Sequence, residues 1–165
     1  MAGPVYFIAD AHLGSSADPA ADEPRLARLV PFLRRVRDRG AEHLYIVGDL
    51  FDFWFEYRSV VSRRAFPVVC ALRRLVDAGV EVTWMGGNHD YWLGDFLRDE
   101  VGLRVMRVPL EVTLEGRRIL LIHGDGLAGR QDRGYRVLRA VIRAPLSESL
   151  FRLIHPVLRD DRQPF

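Results

Sequence analysis

Three short apolar runs near the start of the chain predict buried β-strands. They are Val5–Ile8, His43–Val47 and Glu81–Met85. Two segments between them carry apolar residues at helical spacing, and these predict helices over Glu23–Arg39 and around Val68–Ala78. Because strand and helix alternate, we expect an α/β fold in which these strands pair in parallel.

The later part of the chain follows a different pattern. Two apolar segments, Glu111–Leu114 and Arg117–Ile122, flank Glu115-Gly116, which predicts a β-hairpin. Beyond the hairpin, Gly134–Arg143 and Leu146–Arg159 have the spacing of two amphipathic helices.

Each of four predicted strands ends in a cluster of polar side chains. The clusters are Asp10/His12, Asp49/Asp52, Asn88/His89/Asp90 and His123/Asp125. Ligands of open α/β sheets bind at the carboxyl ends of the strands, so we expect the four clusters to converge on one face of one sheet. Taken singly, each cluster has a simpler interpretation. Asp10-x-His12 is common by chance, Gly48-Asp49 can be a turn and Asp52 a helix cap. The third cluster can be a loop without function and the fourth a turn between a strand and a helix. Four clusters in this order, each directly after a buried strand, indicate a common site.

The side-chain chemistry of the clusters suits metal ions. Carboxylate, imidazole and amide donors together favour manganese, iron or zinc. In Asp10-x-His12, the alternation of an extended segment points both side chains the same way, so one ion could accept both. Asp49 could bridge two ions, and Asn88 and His123 could complete the second. Two ions about 3.5–4 Å apart can clamp the attacking and leaving oxygens of an in-line displacement.

Composition narrows the class of protein. The chain has 165 residues, the size of one domain, and its formal net charge of +2 is too small to argue for a nucleic-acid partner. Cys70 is the only cysteine, which excludes a disulfide framework and a cysteine zinc cluster. The N-terminus lacks the basic region of a signal peptide, so we expect a cytoplasmic protein.

The polar clusters and their neighbours resemble the motifs of a known superfamily. Asp10-x-His12, Gly48-Asp49-x-x-Asp52, Gly87-Asn88-His89-Asp90 and His123-Gly124-Asp125 are similar to the motifs of calcineurin-like metallophosphoesterases. The longer stretches Phe7–Leu13, Gly48–Trp54 and His123–Leu127 resemble one branch, the bacterial UDP-2,3-diacylglucosamine hydrolases of lipid A synthesis. The resemblance covers about residues 5 to 158.

This resemblance implies a metal site and a reaction. Asp10, His12 and Asp49 would hold one ion, and Asp49, Asn88 and His123 the other, with Mn²⁺ as the expected metal of both. Asn88 and His89 would be catalytic, with His89 next to the scissile phosphate, where it can stabilise charge or protonate the leaving group. The implied reaction is hydrolysis at the α-phosphorus, which releases UMP and 2,3-diacylglucosamine 1-phosphate.

The resemblance also implies an architecture. The expected fold is an α/β sandwich of two mixed sheets flanked by helices, in a single domain over residues 1–165. Residues 5–126 would form its catalytic core, and residues 127–160 a helical lid that receives acyl chains. Asp132 and Tyr135, which fit the branch, would contact the nucleotide-lipid substrate. With such a substrate we expect peripheral contact with the cytoplasmic face of the inner membrane.

Two departures from the family pattern keep other functions open. Well-known members of the branch carry arginine where this chain has His89, whereas the wider superfamily has histidine there. The superfamily's last motif, Gly-His-x-His, is absent, so we expect a domain truncated at its C-terminus. The alternatives are a general metallophosphoesterase acting on nucleotides or phosphoproteins, and a non-catalytic fragment with a degenerate metal site.

Overall fold

The computed structural model describes residues 3–16, 18–57 and 60–125, together with Ala144, Ser147 and Leu150. Two compact units are distinguished, and the first consists of Met1–Glu56 and Val61–His123. Every helix, strand and site residue described below belongs to this first unit. Apart from the three single positions, the two predicted late helices and the predicted lid lie outside the described residues.

A four-stranded parallel sheet forms the centre of the first unit. Its strands are β1 (Val5–Ile8), β2 (His43–Val47), β3 (Glu81–Met85) and β4 (Arg104–Met106), in the order β1-β2-β3-β4. All three pairings are parallel. The first three strands have the bounds that their apolar runs predict, and their parallel pairing is confirmed.

Two helices cover one face of this sheet. They are α1 (Glu23–Asp38) and α2 (Phe66–Asp77), and each is followed within two residues by a glycine of positive φ, Gly40 or Gly79. Such glycines end helices because they adopt the left-handed conformation without a Cβ clash. The apolar side chains of the helices pack against alternate residues of the strands, those on one face of the sheet, in a single core. Its largest fully buried members include Trp84, Leu33, Leu44, Ile46, Leu72 and Leu75.

Three short elements are not predicted by the sequence pattern. They are a 3-10 helix, Pro19–Asp22, a single π-helical turn, Phe96–Glu100, and the edge strand β4. Strand β4 has only three residues and begins with an exposed arginine, so its apolar run is too short to indicate a strand.

The opposite face of the sheet packs against a second, two-stranded sheet. This is the antiparallel hairpin of β5 (Leu110–Leu114) and β6 (Arg117–Leu121), turning at Glu115-Gly116 as expected. A second, smaller core joins Tyr45 and Met85 of the first sheet to Leu121 of the second.

The predicted α/β class with two sheets and flanking helices is confirmed. Within the described residues, parallel and antiparallel pairing are divided between the two sheets. One expectation is wrong: the fourth polar cluster follows β6, which pairs with β5 in the separate two-stranded sheet, so this cluster comes from the second sheet and not from the first. Among the described helices, none combines the length and the apolar composition that crossing a membrane requires.

Candidate metal centre

The first three polar clusters lie at one edge of the parallel sheet. Asp10, Asp49 and Asn88 follow β1, β2 and β3 within three residues, and parallel strands end at the same edge. Backbone hydrogen bonds join the first two loops, from the Asp10 N–H to the Gly48 carbonyl at 3.2 Å and from the His12 N–H to the Asp49 carbonyl at 3.0 Å. The donors of two clusters are therefore held on two loops that are hydrogen-bonded to each other.

The backbone at this edge has an unusual conformation. Asp10, His12 and Asp49 have positive φ values of 53°, 46° and 51°. Among the described residues, Glu115 of the hairpin turn is the only other non-glycine with positive φ. A non-glycine residue in this region costs about 1–3 kcal/mol, and such residues concentrate at functional sites. Three of them in two adjoining loops indicate that this edge is built for a site.

Asp49 lies at the centre of the cluster. Its side chain is almost fully buried, and its Oδ1 accepts the His89 N–H at 2.9 Å. Its Oδ2 lies 3.1 Å from His123 Nε2 and 3.8 Å from His12 Nε2. One carboxylate therefore contacts two imidazoles and one backbone N–H, from three other loops.

His123 is oriented by a backbone carbonyl. Its Nδ1 lies 3.0 Å from the Val47 oxygen, and because a carbonyl only accepts, Nδ1 carries a proton. The other nitrogen, Nε2, then faces Asp49 Oδ2 and lies 3.1 Å from Asn88 Oδ1. Histidine ligands of metals have this arrangement, with one nitrogen fixed by a second acceptor and the other free to coordinate.

The carboxylate of Asp52 orients two histidines at once. Its Oδ1 lies 3.2 Å from Nδ1 of His12 and 3.2 Å from Nδ1 of His89. The backbone oxygen of Asp52 also accepts from His89 Nδ1 at 3.0 Å. Both rings therefore carry their proton on Nδ1, and they meet edge to face with centroids 5.0 Å apart. Each Nε2 is left for a ligand or a substrate.

Asp90 links the loop after β2 to the loop after β3. Its carboxylate is fully buried and accepts the N–H groups of Gly87 at 2.8 Å, Leu50 at 2.8 Å and Asp49 at 3.1 Å. Burial raises the pKa of Asp90, although these hydrogen bonds act in the opposite direction. Its contacts are with backbone groups, so it shapes the site without offering a donor to it.

Two glycines allow the loops to approach each other. A Cβ at Gly87 would overlap the carboxylate and the backbone nitrogen of Asp49, and a Cβ at Gly48 would overlap the ring of His123. Any larger residue would displace a donor of the cluster. The Gly48-Asp49 and Gly87-Asn88 pairs of the sequence thus have a steric cause.

The electrostatics of the cluster favour a cation. Burial alone would raise the pKa of Asp49, but hydrogen bonds from the His123 side chain and the His89 N–H outweigh burial and lower it. The hydrogen bond to Asp49 is the largest of the effects that raise the pKa of His123 to about 9. A proton on Nε2 of His123 therefore lies between two oxygen acceptors, the position that a metal ion can take.

The donors form two groups that share Asp49. One group is His12, Asp49 and His89, the other is Asp10, Asp49 and His123, and within each group the ligand atoms lie within 4.8 Å of one another. The structure thus brings together Asp10, His12, Asp49, Asn88, His89 and His123. Nitrogen and oxygen donors of this kind fit Mn²⁺, Fe²⁺ or Zn²⁺.

Four residues remain: two that the sequence predicts to contact substrate, and two site residues whose roles the sequence does not predict. Asp132 and Tyr135, the predicted substrate contacts, lie outside the described residues. Asp52 and Asp90 belong to the polar clusters, but the sequence assigns them no role. The sequence signal for Asp52 is its position three residues after Asp49, on the same loop. Asp90 had no such signal, because its contacts are with backbone groups.

Known proteins match most of the chain. The family model for calcineurin-like phosphoesterases matches residues 3–152. A UDP-2,3-diacylglucosamine hydrolase from Porphyromonas gingivalis is 40% identical over 94% of this chain and 59% of its own length. One from Xanthomonas oryzae pv. oryzae is 37% identical over 88% of this chain and 56% of its own length.

The chain therefore spans between half and two thirds of the length of these curated relatives. Among solved structures, a protein of unknown function from Aquifex aeolicus covers 84% of this chain, with 71% of its own chain matched. Its sequence identity is 18% and its TM-score 0.47, a likeness too low to carry an argument.

Proposed function

This chain belongs to the calcineurin-like phosphoesterase family, and from that premise we propose that it acts in the metal-dependent hydrolysis of UDP-2,3-diacylglucosamine to UMP and 2,3-diacylglucosamine 1-phosphate. The observation that carries the proposal is the pair of donor groups that share Asp49. The substrate is the one in the names of the relatives. The activity of the whole protein is part of the proposal, because the chain spans only part of their length.

The proposed ligands are five side chains. Asp10 and His12 would serve one ion, Asn88 and His123 the other, and Asp49 both. This pairing differs from the two donor groups, in which Asp10 lies with His123 and His12 with His89. It is supported by the 3.9 Å distance between Asp10 Oδ1 and His12 Nε2. His89 lies in one of the donor groups as well, so its Nε2 is within reach of the same place. Two divalent ions at this place would activate water and neutralise charge on the phosphate oxygens. We propose Mn²⁺, because carboxylate and amide oxygens make up much of the donor set.

His89 is proposed as the proton donor. In hydrolysis the water oxygen bonds to the α-phosphorus, the bond to the bridging oxygen breaks, and that oxygen leaves with the lipid phosphate. Asp52 holds the proton of His89 on Nδ1. A protonated His89 can then give its Nε2 proton to the leaving oxygen or stabilise its charge. Asn88 would orient the phosphate beside it.

The remaining parts of the assignment concern the substrate. We propose that Asp132 and Tyr135 contact the nucleotide-lipid and that residues 127–160 form a lid for its acyl chains, within one domain whose core is residues 5–126. The proposed location is the cytoplasm, with peripheral contact to the inner membrane where such a lipid resides. No nucleic-acid partner is proposed.

A general metallophosphoesterase is the second candidate, and one residue favours it. The chain has histidine at position 89, which the wider superfamily shares, where well-known members of the hydrolase branch have arginine. Histidine and arginine both stabilise phosphate charge, but only histidine exchanges a proton near neutral pH. Histidine in place of arginine at this position is compatible with a less specialised substrate.

Turnover, followed as UMP released from the UDP-sugars and as p-nitrophenol released from the aryl phosphodiester, separates the two candidates. The chain with Mn²⁺ is supplied with UDP-2,3-diacylglucosamine, with UDP-glucosamine lacking the acyl chains, and with bis(p-nitrophenyl) phosphate. Our proposal predicts that removing the acyl chains abolishes most of the turnover. Equal turnover of all three substrates would support the general phosphoesterase. Absence of turnover in the presence of bound Mn²⁺ would indicate a non-catalytic chain.

A further inference from the structure

Among the described residues, one buried carboxylate lies outside the four polar clusters. Asp22 is the last residue of the 3-10 helix Pro19–Asp22, directly before α1, and it is 2% exposed. A carboxylate is rarely so buried unless it is paired. Its partners therefore indicate what it does for the fold.

The partners of Asp22 come from three segments of the chain. Its Oδ2 accepts the Gly14 N–H at 2.9 Å and lies 3.8 Å from Nη1 of Arg64, a residue just before α2. Its Oδ1 lies 3.5 Å from Nη1 of Arg25 on α1. Asp22 thus links the loop after β1 to the residues at the start of both helices.

The two arginines hold the same loop. Arg64 Nη1 donates to the Ser16 carbonyl at 2.6 Å, and Arg25 Nη1 donates to Ser15 Oγ at 3.1 Å. Asp22 lies between these guanidinium groups and offsets part of their charge. The segment Gly14–Ser16 is therefore fixed at each of its three residues by Asp22 or its ion-pair partners.

This segment begins two residues after His12. Between them, Leu13 is bonded to the loop after β2, through its N–H to the Leu50 carbonyl at 3.1 Å and its carbonyl to the Asp52 N–H at 2.9 Å. His12 has a positive φ, and such a conformation persists only where the surroundings determine it. The loop after β2 constrains His12 from one side, and the Asp22 contacts constrain the chain that follows it.

We propose that Asp22 is a positioning residue of the metal centre. By accepting the Gly14 N–H and pairing with Arg25 and Arg64, it fixes the backbone that carries His12. The proposal rests on the proposed function only in that the centre binds metal ions. Without Asp22, the ion that His12 helps to hold is bound more weakly, whereas the ion held by His123 keeps its affinity.

The test compares two carboxylates that both accept backbone N–H groups. Asp22→Ala removes the acceptor and the charge, and Asp22→Asn keeps an oxygen for Gly14 and removes only the charge. Glu56 is the matched control, since it accepts the N–H groups of Gly94 at 2.9 Å and Phe96 at 2.8 Å and has no contact with the Gly14–Ser16 segment among its described bonds. Mn²⁺ binding to each purified variant is followed by calorimetric titration, with its Tm measured in parallel.

We expect Asp22→Ala to weaken one of two Mn²⁺ sites about tenfold or more, as loss of a supporting contact does at other metal sites. Asp22→Asn should lie between Asp22→Ala and the unchanged protein. Glu56→Ala should lower the Tm and leave both affinities unchanged. If Asp22→Ala lowers the Tm and leaves both affinities unchanged, Asp22 is merely structural and the proposal is overturned.

Amide hydrogen exchange in the metal-free protein keeps this proposal separate from the proposed function. Asp22→Ala should speed exchange at the Gly14 and His12 amides, and Glu56→Ala should not. Unchanged exchange at both amides would overturn the role of Asp22 whatever the metal content of the protein. A failure of the unchanged protein to bind Mn²⁺, with faster exchange in Asp22→Ala, would overturn the metal centre and the metal-positioning role together.

Discussion

His123 Nε2 lies 3.1 Å from Asp49 Oδ2, although the two residues follow strands of different sheets. Asp49 follows β2 of the parallel sheet, and His123 follows β6 of the hairpin. The Val47 carbonyl fixes the ring of His123 from the other side. The candidate site thus lies where the two sheets meet. The predictions below concern contacts between the loops of this site and one buried histidine of the parallel sheet.

Substitution of Gly87 by alanine should damage the site through steric overlap. The added Cβ would collide with the carboxylate and backbone nitrogen of Asp49, and overpacking of this kind costs roughly 1–3 kcal/mol. We expect a lower free energy of unfolding in urea and weaker Mn²⁺ binding.

The neighbouring Gly86→Ala is the control, because its Cβ would come no closer than 3.3 Å to Tyr91. It should have the smaller effect on both quantities. Equal effects of the two substitutions would contradict the close approach of Gly87 to Asp49.

Substitution of Asp52 by alanine should affect two histidines together. Without its carboxylate, His12 loses the acceptor that holds its Nδ1 proton, and His89 keeps only the backbone carbonyl of residue 52. Loss of such a supporting carboxylate lowers metal affinity about 10–100-fold at other sites. We expect a loss of Mn²⁺ affinity in this range by calorimetry, and lower turnover at saturating Mn²⁺ because His89 is held by one acceptor in place of two.

Asp99→Ala is a suitable comparison, since Asp99 is exposed and pairs with Arg98 on the π-helical turn. It should leave both quantities unchanged. Retention of full Mn²⁺ affinity by Asp52→Ala would show that the histidines do not need this carboxylate.

His43 should make the stability of the protein depend on pH. It begins β2, its Nε2 lies 2.8 Å from Thr83 Oγ1, and its ring stacks on Tyr45. Burial lowers the pKa of His43, with Glu81 and Glu42 opposing the shift and Arg104 adding to it. The unfolded chain therefore binds the proton more readily than the folded one, and stability falls as pH drops below about 6.5, the ordinary pKa of histidine.

The measurement is urea unfolding of the metal-free protein between pH 7.5 and pH 5. As the pH is lowered, we expect the free energy of unfolding to fall less steeply in His43→Gln than in the unchanged chain. The other histidines contribute equally to both proteins, so the difference reports His43. Parallel pH profiles would contradict a depressed pKa at His43.

The sequence predicts three of the four parallel strands and both helices well, for a physical reason. Strands β1, β2 and β3 are short apolar runs, α1 and α2 have apolar residues at helical spacing, and glycines end both helices. Each signal lies within the element itself. Strand β4 has no such signal, because it forms only by pairing with β3 at the sheet edge.

The sequence predicts which residues of the site are donors, but not how these residues are arranged. Side chains after the strands are identified by residue type, but the grouping of His12 with His89 depends on how Asp52 turns two rings. The approach of His123 from a second sheet depends on how the hairpin packs. Asp22 acts through contacts with Gly14 and Arg64, which are 8 and 42 residues away in sequence. No local pattern reports contacts of this range.

The number of Mn²⁺ ions bound with and without the shared carboxylate tests the central claim most directly. The unchanged chain and Asp49→Asn are titrated from the metal-free state by calorimetry, with Asp38→Asn, an exposed carboxylate at the end of α1, as control. We expect two ions for the unchanged chain and the control, and a loss of affinity at both sites in Asp49→Asn. Two undiminished sites in Asp49→Asn, or no bound ion in the unchanged chain, would contradict a two-ion centre built around Asp49.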